Sequence, residues 1–509
     1  MFLKSHHALA CAGAVPVVVG AVLLIRSTKK PKKGKTKIIF TDMHRKLEVD
    51  IEKIAARNWS VDSAGVPDEE LSEKSWVSVR IEHISKISAE KINGLFEFFR
   101  ATGTSSEILE LCGIEETRAF RAAWIESLQT VRNLVLENCA ISSALVAEIE
   151  TVSNIGSLKI CGEASALEPE LGPVAFQAVS AISFENTPAG LSERFLTSFA
   201  PTRKTALYFN NSKIKDTAHL CRFSKWISRL QIKNERYIGF DVERLNFFEN
   251  LECASFSNML QPLDASRISA AIRLPFLWSL QLSFDMVSAV DWRATFSSNP
   301  STRVEILYPV DNGKKQTSMQ YSLSESKERL EIKIMSEDGT GEDAPLPVEV
   351  PRRTVAQMLE TPNPVQACSA ISKVSFILAL KLTKESAVHM VAVLKHQIQA
   401  LSLEYLCVYF SFPCAVEISL IETLLDRGTC PVLKKVLLIN VLVLDEKRVG
   451  VAQKESTAGA ERVLLYQGEI ERVEFVHADK AGEEGVWEAD ERKGFTEYFS
   501  ALEDFPKLS

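Results

Sequence analysis

Eight histidines are scattered over the 509 residues, and His389 and His396 share a local segment. Seven positions apart in a helical pattern, they read as surface-helix residues. No His-Glu-x-x-His accompanies them, so no metal ligands are assigned. Gly339-Thr340-Gly341 imitates the opening of a dinucleotide-binding fingerprint, but Glu337, Asp338, Glu342 and Asp343 surround it and would repel phosphates. The chain has no Gly-x-Ser-x-Gly elbow and no phosphate loop of the form Gly-x-x-x-x-Gly-Lys-Ser/Thr. The ten cysteines lack the dense, regular spacing of a disulfide scaffold. They read as reduced, packed apolar residues, Cys112, Cys139, Cys161 and Cys253 among them. With no nucleophile and base to pair, the chain reads as non-catalytic, with no cofactor expected.

The chemistry left is recognition. Tyr208, Arg229, Gln231 and Lys233, then Arg303, Glu305, Arg329, Glu331 and Lys333, alternate with apolar residues in a way that puts them on one face of a sheet. Tyrosine and arginine are favoured interface residues, and cations on an acidic body select an acidic partner segment. Tyr208, Arg229, Gln231, Lys233, Arg303 and Arg329 are therefore the candidate partner-binding residues.

A frame of the form apolar-x-x-apolar-x-apolar-x-(Asn/Gly) positions them. Its clearest copy is Val131-Arg132-Asn133-Leu134-Val135-Leu136-Glu137-Asn138. The central apolar residue recurs every 23 to 26 positions, at Leu109, Leu134, Leu158, Ile182, Leu207, Leu230, Ala254, Leu280, Val304 and, less cleanly, Leu330. Such a period marks stacked units, because one short strand with its return segment cannot bury its apolar face alone. The pattern resembles the leucine-rich-repeat family. Five return segments, 142–151, 191–199, 216–223, 241–250 and 265–274, carry apolar residues three and four apart, as amphipathic helices do. The resemblance is thus to the ribonuclease-inhibitor-like branch, with shorter repeats. It implies an α/β solenoid, a horseshoe of parallel inner strands and outer helices, with a protein partner on its concave face.

Two residues after the last apolar strand position stand Gly113, Asn138, Gly162, Asn186, Asn211, Asn234 and Asn258. Asn and Gly share tolerance of left-handed backbone, so this column marks the turn ending each strand. The asparagine amides can also bond backbone groups of the neighbouring coil. The family's usual asparagine ladder lies one position later, where this chain has Ile114, Cys139, Glu163, Thr187, Ser212, Glu235 and Met259.

The N-terminus sets the compartment. Residues 8–25 are an uncharged apolar run of 18 residues, about 27 Å long as a helix at roughly 1.5 Å per residue, which suits one transmembrane span despite Pro16. Small-x-small cleavage sites occur only near its start, so an uncleaved anchor is expected, with a cleaved and secreted protein as the alternative. Arg26, Lys29, Lys30, Lys32, Lys33, Lys35 and Lys37 follow, against Lys4 alone before it. The positive-inside rule places the solenoid in the cytoplasm, and the basic run adds contact with anionic lipid. The remaining 51 basic residues face all 66 acidic ones, a net of about −15, so no nucleic-acid partner is expected.

The domain reading is therefore an anchor at 1–25, a basic linker at 26–37 and an N-terminal cap at 38–105. Repeats fill 106–334, an acidic loop 335–353, and irregular repeats with a C-terminal cap 354–509. The cap holds a helix at 45–57, a strand at 76–81 and a helix at 89–100. Beyond the loop the frame returns at Val374/Phe376, Leu401/Leu403, Val436/Leu438 and Val473/Phe475. A second loop at 445–461, a closing helix at 490–503 and 13 or 14 strands complete the expectation. The sequons at Asn58 and Asn210 serve as topology reporters.

Overall fold

A computed structural model describes residues 37–41, 46–50, 75–115, 120–214, 218–234, 245–257, 271–299, 301–308, 315–324, 326–338, 350, 352–361, 363–364, 371–380, 382, 384–399, 401–417, 420, 424, 432–433, 435–444, 462–464 and 472–476. The sheet starts with β1 (Lys37–Thr41), antiparallel to both β2 (Lys46–Asp50) and β3 (Ser75–Ile81). The helix expected at 45–57 is thus corrected to a strand over 46–50. Lys46-Leu47-Glu48-Val49-Asp50 alternates with period two, and Leu47 and Val49 face Phe40 and Ile38 across the pair. Lys37 belongs to this strand and not to the linker.

From β3 the strands run parallel: β4 (Ser105–Cys112), β5 (Asn133–Glu137), then β7 (Ser157–Cys161), after a two-residue strand β6 (Ala140–Ile141). β6 pairs outside the main sheet with β8 (Ala166–Leu167). The main sheet continues through β9 (Ala181–Glu185), β10 (Thr205–Asn210), β11 (Ile227–Lys233), β12 (Cys253–Ser257), β13 (Ser279–Ser283) and β14 (Arg303–Tyr308). The frame's centres are one register row: Leu109, Leu134, Leu158, Ile182, Leu207, Leu230, Ala254, Leu280 and Val304 are successive partners, all buried.

The return segments cover the apolar face. Helix α1 (Ala89–Ala101) is capped by Ser88, whose Oγ accepts from Lys91 N; α2 (Ala122–Glu126) and α3 (Ser143–Thr151) follow, the latter capped by Ser142. In α4 (Leu191–Ser198) Phe195 meets Phe184 of β9 edge-on at 5.5 Å, and Phe184 stacks on Phe209 of β10 at 5.6 Å. These rings are fully buried, so helix and sheet share one core. Of the segment expected as a helix at 216–223, residues 218–223 form a 3-10 turn. Residues 246–250 are turns and not helix, and 271–274 are irregular. Residues 241–244 and 265–270 lie outside the described residues.

The largest departure follows β14. Strand β15 (Lys315–Leu323) inserts antiparallel between β14 and β16 (Arg329–Asp338). The 26-residue spacing from Val304 to Leu330 matches a repeat, but it holds a meander. Thr317-Ser318-Met319-Gln320-Tyr321-Ser322-Leu323 alternates, and Met319, Tyr321 and Leu323 turn inward. Register slips by two across it: Val304 faces Tyr321, which faces Ile332, so Leu330 is one row off its assigned place.

Beyond α5 (Trp292–Ser298), which precedes β14, come α6 (Arg352–Glu360), β17 (Lys373–Ala379), α7 (Lys384–Ile398), β18 (Tyr405–Glu417), β19 (Lys435–Leu444), β20 (Arg462–Leu464) and β21 (Arg472–Val476). The loop expected at 335–353 shrinks: 335–338 extend β16, 352–353 open α6, and 339–349 lie outside the described residues. The pair assigned at Leu401/Leu403 is corrected to Leu406/Val408, which face Val374 and Phe376. Leu401 and Leu403 are buried in the turn that leads from α7 into β18. Val436 and Val473 keep their places.

Among the described residues the sheet thus has nineteen strands and not 13 or 14. Sixteen of them run in one direction; β1, β15 and β20 run against them. Among the described residues no helix is long and apolar enough to cross a membrane. The expected span at 8–25, the basic residues 26–35, the loop at 445–461 and the helix at 490–503 lie outside the described residues.

Candidate partner-binding face

Each parallel strand sends alternate side chains away from the helices, onto a second face. The Asn/Gly column ends these strands as its residue types require: Gly113, Asn138, Gly162, Asn186, Asn211 and Asn234 all have positive φ, from 50° to 99°. Their backbone N–H groups extend the ladder past the strand ends, as Asn138 N to Cys161 O (2.8 Å) and Asn211 N to Lys233 O (3.0 Å) illustrate. Their amides do less backbone bonding than expected. Asn138 Oδ1 accepts from Ala164 N (3.0 Å), whereas Asn211 donates to Asn186 Oδ1 (2.9 Å) and Asn234 to Asn210 Oδ1 (2.8 Å).

The following position takes over that task. Cys139, Thr187 and Ser212 are fully buried; Cys139 Sγ donates to Leu111 O (3.3 Å) and Thr187 Oγ1 to Ser212 O (3.4 Å). Cys139, Thr187 and Ser212, small hydrogen-bonding residues at one place in the frame, are the signal for it in the sequence.

Over β10 to β13 three rows form the floor of the open face. One runs Ala206, Arg229, Cys253, Ser279; the next Tyr208, Gln231, Ser255, Gln281; the third Asn210, Lys233, Ser257. Two of these residues are cationic and none is acidic, on a chain of net charge −7. Burial raises the pKa of the Tyr208 phenol and the neighbouring Arg229 guanidinium pulls it back. Burial also lifts the Cys253 thiol to about 11, again against Arg229. Ser255 Oγ donates to Gln281 Oε1, and Gln281 Nε2 to Glu305 Oε2 at 3.2 Å, which closes the row on its far side.

The structure divides the six candidate residues. Tyr208, Arg229, Gln231 and Lys233 lie together on two adjacent strands. Arg303 and Arg329 lie on β14 and β16, either side of β15, among carboxylates. Burial lowers the Arg303 pKa while Glu305 and Glu331 support its charge. Burial raises Glu331, which Arg329, Lys333 and Arg303 draw back. This second group is a mixed-charge cluster and not an extension of the first. Lys37, expected at the membrane surface, opens β1; the other six basic residues of that run lie outside the described residues.

Sequence reasoning passed over the start of the same face. Arg80 Nη1 donates to Glu110 Oε2 (2.9 Å) and Glu137 Oε2 (2.6 Å), and Lys159 pairs with Glu185. Burial works against the Arg80 charge, yet Cys112, Glu137 and Glu110 push its pKa above the ordinary value. Ile108, Val135 and Cys161 form an apolar cluster beside them. Burial lifts the Cys161 thiol to about 12 and Cys112 well above its usual value, so neither is a nucleophile at neutral pH.

Among the described residues no group of three or more His, Cys, Asp and Glu is placed to hold a metal ion. His389 and His396 both sit on α7, half-buried and not simply on its surface; the His396 ring lies 3.2 Å from Thr361 O. No protein-family model matches the chain, and comparison with curated proteins gives no match.

Proposed function

We propose that this chain is a membrane-anchored, non-catalytic interaction scaffold of the leucine-rich-repeat type, which holds a partner protein against the open face of its sheet. The floor around Tyr208, Arg229, Gln231 and Lys233 carries the reading, because its register rows hold two cations and no carboxylate, which suits an acidic segment. Two further observations support the solenoid: the single register row of frame centres, and the left-handed column that closes each strand. The membrane anchor rests on the apolar run at 8–25 and the positive charge after it.

Arg229→Glu with Lys233→Glu tests the face: proximity labelling in cells should lose a defined set of neighbours with the double variant, and an unchanged set refutes partner binding there. Protease protection of the membrane-inserted chain tests the topology. A digestible sheet with an intact N-terminus agrees with a cytoplasmic scaffold; a protected chain glycosylated at Asn58 makes it a secreted or lumenal recognition protein instead. Asn210 is the poorer reporter, since its amide oxygen already accepts from Asn234.

A further inference from the structure

Trp226, Phe247 and Phe276 are the exposed tryptophan and phenylalanine side chains among the described residues, at 40%, 60% and 57%. They precede three consecutive strands, β11, β12 and β13, at the edge where the parallel strands begin. Trp226 O accepts from Thr205 N (2.7 Å), which fixes the Trp226 backbone beside the entry of β10. Lys204, one residue before Thr205, sends its Nζ to Glu252 Oε1 (2.9 Å) at the entry of β12, and stands 6.0 Å from the ring centre of Phe276 before β13. One lysine from β10 thus reaches across the entry of β11, so Trp226 and Phe276 belong to one continuous edge. Exposed aromatics gathered this way mark a contact surface more than chance exposure does.

We infer that this edge, together with the adjoining floor at Arg229, is the seat of a partner protein's segment that carries an apolar anchor flanked by acidic residues. The apolar anchor matches Trp226 and Phe276. The acidic flank matches Lys225, exposed beside Trp226, and Arg229 three residues further on, while Glu252 is already neutralised by Lys204. A lipid surface fits less well. Ile38 of β1 pairs with Ile81 at the C-terminal end of β3, so Lys37 and the linker before it join the sheet at the edge bearing the Asn/Gly column. The aromatic edge is opposite, a strand length of roughly 17–24 Å away for five to seven residues at about 3.4 Å each. A tether at one edge presents the other to solvent. The inference rests on the scaffold reading and adds to it the place and chemistry of the contact.

The test is selection of a random dodecapeptide phage library on the full chain in lipid nanodiscs, run in parallel on Trp226→Ala/Phe276→Ala and on Arg229→Glu/Lys233→Glu. Enriched peptides should combine an aromatic or aliphatic residue with two or more acids. The aromatic double variant should bind them about 30-fold more weakly or worse, the scale of one hot-spot residue. Because both side chains are exposed, its urea midpoint should match the wild type, which separates lost binding from lost folding. Peptides without acids, peptides that bind the aromatic variant equally, or a selection that yields none overturns the inference. So does quenching of a Trp226-specific emission by brominated lipid. Peptides lost only with the charge reversal overturn it too, while leaving the scaffold reading in place.

Discussion

Gly162 separates two costs that usually come together. Its φ is +99°, and a β-carbon there would lie 2.3 Å from Asn138 Oδ1, 2.7 Å from Asn138 Cγ and 3.0 Å from Asn138 N. Gly113 holds the equivalent place with φ +76°, but a β-carbon there would meet only His83 Cα, at 3.8 Å. Gly113→Ala should therefore cost only backbone strain, about 1–2 kcal/mol. Gly162→Ala should cost that strain and also displace the Asn138 amide from Ala164 N, whose hydrogen bond is worth about 0.5–1.5 kcal/mol; the sum is about 1.5–3.5 kcal/mol. Urea unfolding of the full chain reads the totals, and hydrogen exchange at the Ala164 amide reads the local bond. Adding Asn138→Ala to Gly162→Ala removes the amide that clashes, so the pair should cost less than the sum of the single changes. Equal costs at Gly113 and Gly162, or additive costs in the pair, would refute the proposed contact.

Asn211→Ala should lower stability by about 1–3 kcal/mol, because it loses the bond to Asn186 and the asparagine's tolerance of left-handed backbone at φ 50°; Asn211→Gly should cost less, and the reverse order in urea would count against the left-handed role. Tyr321→Phe should cost about 1–3 kcal/mol by removing the donor to buried Gln397 Oε1 (3.0 Å), with α7 amides showing faster hydrogen exchange; a neutral result would mean that β15 is not pinned there. Alkylation of Cys253 should accelerate with pH toward about 11, not 9, and Arg229→Gln should slow it at any fixed pH, since Arg229 lowers the thiol's pKa; unchanged rates would separate the two residues. The sign for stability follows: the folded chain holds that proton more tightly than the unfolded one, so the contribution is complete below pH 9 and is lost as pH rises through about 11.

Periodicity made the long row of frame centres legible, because each inward residue needs the same neighbours in the next unit. The left-handed column was legible for a similar reason: backbone geometry restricts residue type at Asn138 or Gly162 whatever surrounds it. Where spacing was the sole guide, reading failed. The distance from Val304 to Leu330 equals one repeat, yet a hairpin pair of strands fills it as well as a strand and a helix. At 45–57 the short alternation of β2 was taken into a longer helical pattern. On the open face, alternation identified which side chains point outward but not which have company. Arg303 and Arg329 read like Arg229 until the slip across β15 brings Glu331 and Lys333 into their surroundings.

On the proposed reading, that difference in company favours one half of the face for binding. An acidic ligand approaching Arg303 would have to displace Glu305 and Glu331, whose attraction already supports the buried guanidinium. Taking either away would leave a charge with less compensation, so rearrangement there is costly. The start of the sheet is closed for the same reason: Arg80 is held by Glu110 and Glu137, and Lys159 by Glu185. Between these two self-satisfied regions lie β10 to β13, with small neutral side chains around Arg229 and Lys233 and an exposed aromatic edge where the strands begin. On the proposed reading, a partner docking there meets cations whose register neighbours are neutral, and it can bury Trp226 and Phe276 in the same contact.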